Sequence, residues 1–377
     1  MENSIYLKHK AREQRIAQNS VLSICVNLAL SVFKGVIGIF SGSAAILSDA
    51  VESLSDGLSS LITLLGIKLS YKVPDKKHPF GYGRIEYVSA SLISFLVLYA
   101  GITSLTGSVN EILHPASSKY TALWLAILGV ALPIKFILGT YLKKEGKKEG
   151  SHSLSASGNT IRHSSILSAS TLAAAIILYT TGHNIEAWFG VIIAVFTLKN
   201  GISLLLETMS EILGKRTDAE LARTIKEEAC SFPQVLGAYD LFVHNYGPGK
   251  HIGSVHIEVP ENLSMDELDT LERNITSKVY QKTGVLLAGI SIYSQNGSDL
   301  ETQEKKKEVQ EILQAFPQVL ETHGFYYNKD QKQLQFDIVI SFSEKQRQRI
   351  YREALTKVQE TFPGYQVKMN LDADASD

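Results

Sequence analysis

The sequence predicts an all-α bundle of membrane-spanning helices followed by small α+β units on the cytoplasmic side. Three observations predict it. Residues 20 to about 206 of the 377-residue chain are dominated by long apolar runs, and the rest has ordinary soluble patterning. The apolar half breaks into six runs, each near the ~20 residues that a helix needs to cross a bilayer. The links between the runs alternate between basic and nearly uncharged, which orients a multi-pass chain.

Taken in order, residues 1–19 contain KHKAREQR and read as a basic cytoplasmic segment with no cleavable signal pattern. The six spans are expected at about 20–41, 44–70, 84–110, 119–142, 152–180 and 185–208, giving a membrane domain over 20–213. The links SGSAA, HPASSKY and TTGHN hold almost no Lys or Arg, whereas YKVPDKKHPFGYGR and KKEGKKEG are basic. The positive-inside rule therefore places both termini in the cytoplasm. The fifth span is polar in its first half (SHSLSASGNTIRHSS) and apolar only after Ile166, so that half must face protein rather than lipid.

Beyond Gly214 the periodicity changes. DAELARTIKEEAC carries Leu221, Ile225 and Ala229 on one helical face, with Asp218 near its start. VLGAYDLFVHNYG and HIGSVHIEVP alternate as strands about a GPGK turn, and Ser264 with Glu267 forms a capping-box pattern ahead of a second helix. VLLAGISIYS closes an α-β-β-α-β unit over 214–295. A charged linker is expected over 296–304. The same order then recurs over 305–377, and FPQVL occupies matching places at Phe232 and Phe316, which marks an internal repeat.

Composition excludes several classes. A net charge of −1 without a basic stripe argues against a nucleic-acid partner. Cys25 and Cys230 cannot build a disulfide framework. No Walker loop, Gly-x-Ser-x-Gly elbow, CxxC or HExxH string is present, so no enzyme class finds support.

The second span concentrates the chemistry. SAAILSDAVESLSDGLSSLITLL carries Asp49, Glu52 and Asp56 within an apolar frame. An ionised side chain at mid-membrane costs about 3 kcal/mol on insertion scales, so it survives facing protein, water or a counter-ion. Glu52 and Asp56 are one turn apart, about 6 Å along the axis, and share a face. Two like charges stacked there repel unless a cation lies between them or a proton is bound.

SGSAAILSDAVESLSD, PDKKHPFGYGRIEY and LFVHNYGPGKHIGSVHIEVP together resemble the cation diffusion facilitators, proton-coupled exporters of zinc, manganese, iron and related ions. The resemblance covers nearly all of residues 15–295, and the loop and C-terminal extension are most similar to the manganese-exporting branch of Gram-positive bacteria. It implies a homodimer in the cell membrane with six spans per chain and ferredoxin-like cytoplasmic domains. Its cargo would be a divalent cation, Mn2+ first with Zn2+ and Fe2+ as alternatives, exported against protons by alternating access. No permanently bound cofactor is implied.

The resemblance also implies a transport site with Glu52 and Asp56 as two ligands and two more from the fifth helix, in a pattern like ASGxDxxxDxxxS. This sequence reads ASGNTIRHSSILS, with Thr160 and Ser164 at the two acidic positions. Hydroxyls are weaker ligands and do not change charge on protonation. Asn159 and His163, also four apart, lie one residue off that face and are the alternative pair. A degenerate, non-transporting regulatory or metal-sensing subunit is therefore the second functional reading.

Accessory candidates are Asp49, Asp75, His78 and His256. Tyr82 stands where zinc relatives carry a further His, so no stable loop site is expected. The cytoplasmic histidines are read as ordinary surface residues, and no ligand cluster is evident in the second repeat. Arg84 matches a basic position implied to pair across the dimer with an acid ending the sixth helix, here Glu207 or Glu211.

Overall fold

The computed structural model describes residues 2–41, 44–114, 122–181, 186–295, 300–341 and 343–372. It separates into two compact units, Met1–Lys215 with Tyr246–Gly249, and Arg216–Asn245 with Lys250–Asp377.

The first unit is helical: α1 Glu2–Ser41, α2 Ala44–Ser70, α3 Ile85–Leu113, α4 Ala122–Lys148, α5 His152–Thr181 and α6 Glu186–Leu213. Among the described residues, four stretches are long and apolar enough to cross a membrane: Lys10–Ile37, Ala50–Ser70, Ile85–Asn110 and Gly190–Leu213. The expected fourth and fifth spans coincide with helices but fall partly outside the residues whose side chains are described. The basic N-terminal segment is helical as well, continuous with the first span.

Burial in this unit is inverted relative to a soluble protein. Phe40, Ile39, Tyr99 and Leu206 are exposed, while Ser20, Ser23, Asn27, Ser53, Asp56, Ser59, Ser60 and Ser157 are buried. Lipid tails supply no hydrophobic drive between helices, so hydroxyl contacts and close packing do the joining. Ser23 bonds Ser60 at 2.7 Å and Ser60 bonds Ser157 at 2.9 Å, lacing α1, α2 and α5 together. At one end Arg12 of α1 meets the buried Glu86 of α3 at 3.1 Å and donates to the Glu149 carbonyl at 2.7 Å.

The second unit holds two three-stranded layers. In the first, α7 Ala219–Cys230 leads to β1 Gly237–Asn245, β2 His251–Pro260, α8 Met265–Thr283 and β3 Val285–Gln295, with sheet order β1-β2-β3. β1 and β2 pair antiparallel as a hairpin, and β2 and β3 pair parallel because α8 crosses between them. Ile225, Ile257, Ile275 and Val285 are fully buried in its core. The second layer repeats this plan with α9 Leu300–Leu313, β4 Val319–Asn328, β5 Gln333–Ile340, α10 Arg347–Thr361 and β6 Gln366–Asp372, in order β4-β5-β6. α9 begins at Leu300, inside the stretch expected as a linker to residue 304, because ETQEKKKE extends the amphipathic pattern of VQEIL.

Local signals act as the sequence dictates. Asp218 caps α7, accepting from the Glu220 and Leu221 amides, and Ser264 with Glu267 forms a complete capping box on α8, which ends at Gly284 in a left-handed conformation. Ser264→Ala is expected to cost about 1 kcal/mol. The loss reads out as faster amide exchange across the first turn of α8.

The repeats correspond residue by residue. Tyr239 pairs with His256 and Glu258 with Tyr293 in the first sheet; His323 pairs with Asp337 and Val339 with Asp372 in the second. Each hairpin carries a register shift just after Tyr239 or His323, where Asp240 and Gly324 have φ of 49° and 63°. Tyr239, Asp240, His256 and Tyr293 are thus the counterparts of His323, Gly324, Asp337 and Asp372.

Candidate functional site

The α2 carboxylates meet α5 inside the first unit. Ser164 Oγ lies 2.7 Å from Glu52 Oε1 and 3.0 Å from Asp56 Oδ2. One hydroxyl reaching both acids places them on a common face, as the one-turn spacing requires. Asp56 and Ser164 are buried, and Glu52 is half-buried.

The remaining fifth-helix candidates point elsewhere. Thr160 donates to the Ala156 carbonyl of its own helix at 3.1 Å. His163 Nε2 meets Asn200 Nδ2 of α6 at 2.9 Å. Asn159 is half-buried beside it, with no contact to the acids described. Of the two pairs left open by the sequence, only Ser164 reaches the α2 carboxylates. The side chain of Asp49 lies outside the described residues.

Two residues that the sequence reading passed over complete the site. Lys135 of α4 is 1% exposed and places Nζ 2.7 Å from Asp56 Oδ2 and 2.9 Å from Ser164 Oγ. Lys34 of α1 is equally buried and donates to Ser53 Oγ at 3.1 Å, next to Glu52. A sequence signal existed for both: each is a lone lysine inside an apolar run, and an intramembrane charge needs a partner by the same argument that singled out Glu52 and Asp56. Pro133, two residues before Lys135, removes an intrahelical donor and interrupts the α4 ladder there. Chemically, the site is a carboxylate pair cross-linked by a hydroxyl, with an ammonium ion held where a cation is electrostatically favoured.

The accessory candidates are distributed differently. Asp75 accepts from the Tyr82 hydroxyl at 2.6 Å and from the Lys77 and His78 amides, with Lys72 Nζ at 3.7 Å and His78 Nδ1 at 3.5 Å. The Tyr82 hydroxyl first, then the His78 amide, holds its carboxyl at about 2. These contacts turn the loop in on itself. Arg84 flanks the start of α3 with its guanidinium 4.7 Å over the Tyr246 ring. Within one protomer Glu207 lies 4.0 Å from His152 and Glu211 lies 3.2 Å from Lys215.

Of the cytoplasmic histidines read as surface residues, His244 is exposed, whereas His256 is half-buried against an aspartate. His256 Nδ1 lies 2.6 Å from Asp240 Oδ2, and the two repeats together gather Asp240, His323 and Asp337 so that one ligand atom of each falls within 4.8 Å of the others. The cluster is not legible in the sequence because Asp240 lies more than 80 residues from His323 and Asp337 and joins them only by packing of one repeat on the other.

A buried polar seam of acids and compensating cations, inside a helical bundle with an apolar exterior, fits a membrane transporter of charged solutes. Comparison with known proteins gives the family. The cation efflux transmembrane domain matches residues 20–213, and the cytoplasmic domain of cation efflux proteins matches residues 217–287. The chain belongs to the cation efflux family, the cation diffusion facilitators, which are membrane transporters and not a class of enzymes. The chain is 26% identical over 259 residues to an uncharacterised transporter of Methanocaldococcus jannaschii, covering 69% of this chain and 91% of that protein. It is 24% identical over 265 residues to the magnetosome protein MamB of Paramagnetospirillum magneticum, covering 68% and 86%. It is 23% identical over 222 residues to the cation-efflux pump FieF of Citrobacter koseri, covering 59% and 74%. Both family domains end before the second repeat.

Proposed function

We propose that the chain, as a homodimer in the plasma membrane with both termini cytoplasmic, exports Mn2+ in exchange for protons by alternating access. The observation that carries this reading is the convergence of Glu52, Asp56 and Ser164 on one buried point. Oxygen donors without sulfur suit Mn2+ over soft metals, with Zn2+ and Fe2+ as the competing cargoes. Arg84 pairs with Glu207 or Glu211 of the second protomer in this arrangement.

Lys135 gives the exchange a specific form. A divalent ion reaching Asp56 must displace an ammonium ion already 2.7 Å away. The carboxylates then trade one cation for another instead of standing bare in a low-dielectric site, where two unscreened charges repel strongly. On release of the metal the ammonium returns to Asp56 and the carboxylate pair recovers the proton that it gave up on binding, which is the counter-ion of the exchange.

The same ion pair is the specific observation favouring the second reading, a non-transporting regulatory or metal-sensing subunit in which Lys135 permanently blocks the site. Proteoliposomes loaded with a Mn2+-sensitive dye and a pH dye separate the two. Exchange predicts Mn2+ flux coupled to counter-flow of protons in wild type, abolished in Glu52→Gln. It also predicts tighter Mn2+ binding in Lys135→Met, from which the competitor is gone. A wild type without flux, together with metal binding appearing only in Lys135→Met, would establish the blocked site and end the transport reading.

A further inference from the structure

We propose that Asp240, His323 and Asp337 form a divalent-metal site at the seam between the two α+β repeats. It stands apart from the transport reading, since none of its residues belongs to the membrane helices.

The geometry of unsatisfied groups points to an ion. His323 is 5% exposed, and neither of its ring nitrogens makes a hydrogen bond among the described residues. Its Nε2 stands 2.9 Å from Asp240 Oδ1, off the direction that a hydrogen bond requires, and that oxygen accepts none either. A buried imidazole nitrogen and a buried carboxylate oxygen that face one another at this distance without a hydrogen bond are a costly arrangement for a polar interior. It is the ordinary spacing of two ligands on one cation: bonds of about 2.1 Å at right angles put their ends about 3.0 Å apart.

Tyr293 gives a second sign of missing positive charge. Its hydroxyl lies 2.8 Å from Asp240 Oδ2 and 2.8 Å from Asp337 Oδ2. One proton cannot be donated to both carboxylates at once. Asp372 brings a third carboxylate to 3.8 Å from His323 Nε2.

The backbone is arranged for the same end. Asp240 sits in a left-handed conformation at the register shift where the second repeat has Gly324. A non-glycine residue there costs of order 1 kcal/mol and, where retained, marks a side chain being aimed. Here the aim is across the seam at His323, whose counterpart Tyr239 stacks on it with ring centroids 4.8 Å apart. The donor set of two carboxylate oxygens and one imidazole nitrogen suits a first-row ion of the Mn2+, Fe2+ or Zn2+ type, with His256 on Asp240 Oδ2 as the outer partner that orients the ligand.

The test uses the full chain in nanodiscs titrated with Mn2+, read by equilibrium dialysis and by nitrogen modulation in pulsed EPR. Among the described contacts no histidine meets Glu52 or Asp56, and His163 is turned to Asn200. A nitrogen coupling of Mn2+ that is lost in His323→Gln therefore reports the seam. Wild type is expected to bind one nitrogen-coupled Mn2+ per chain at the seam, and Zn2+ is expected to displace it. His323→Gln is expected to abolish the coupling, and the half-exposed Asp337→Asn to weaken the same signal at least tenfold with the fold intact by circular dichroism. Wild-type protein without nitrogen-coupled Mn2+, or Asp337→Asn and His323→Gln binding it as wild type does, overturns the site whatever the flux measurements show.

Discussion

Asp56→Ala is expected to lose about 3–5 kcal/mol of stability, because it removes the carboxylate 2.7 Å from the buried ammonium of Lys135. Lys135 is 1% exposed, and of its two described contacts at the site the carboxylate at 2.7 Å is the charged one. The Ser164 hydroxyl carries no compensating charge. Lys135→Met is expected to be milder than Asp56→Ala, since Asp56 keeps its bond to Ser164. The double variant removes both charges and is expected to recover most of the loss, with a coupling of at least about 2 kcal/mol in the cycle. Heating detergent-solubilised protein and measuring the folded fraction by size-exclusion chromatography gives all four stabilities. Additive losses would show that Lys135 and Asp56 do not act as a pair, and the exchange mechanism would lose its ammonium partner.

How much of this was legible in the sequence follows the range over which each signal acts. Helix caps at Asp218 and Ser264 are local, and both were readable as written. The order of elements in each α+β repeat follows from period and turn chemistry, and the FPQVL pair betrayed the duplication before any coordinates. The shared face of Glu52 and Asp56 follows from helix geometry. What joins that face was harder: with Thr160, Ser164, Asn159 and His163 all near it, a rotation of a few tens of degrees decides among them, and close packing of α5 on α4 sets that rotation. Lys34 and Lys135 are hidden in the sequence because each is a single charge in a run whose apolar character as a whole marks the span. The Asp240–His323–Asp337 cluster lay beyond reach, since it exists only once two repeats are docked.

That packing of α4 on α5 supports the second large prediction. Gly158→Val is expected to separate the two helices and dismantle the site. A Cβ built on Gly158 would fall on the Lys143 backbone nitrogen and lie 2.9 Å from the Gly139 carbonyl oxygen, and one on Gly139 would lie 2.7 Å from the Arg162 nitrogen. These neighbours are backbone and cannot rotate away, so the helices themselves must part. Lys135 lies one turn before Gly139, and Ser164 lies less than two turns after Gly158. Parting the helices there pulls Lys135 Nζ from the Ser164 hydroxyl that it now meets at 2.9 Å. Overpacking usually costs about 1–3 kcal/mol, and a branched side chain against backbone on both helices belongs at or above the upper end. Gly107→Ala is the control: its Cβ would meet nothing within 4 Å, and replacing an open helical glycine is expected to be neutral or to gain up to about 1 kcal/mol. Melting of the two variants beside wild type decides the matter. Equal stability of Gly158→Val and wild type would mean that α4 and α5 are not in backbone contact, and Ser164 would then have no fixed place beside the α2 carboxylates.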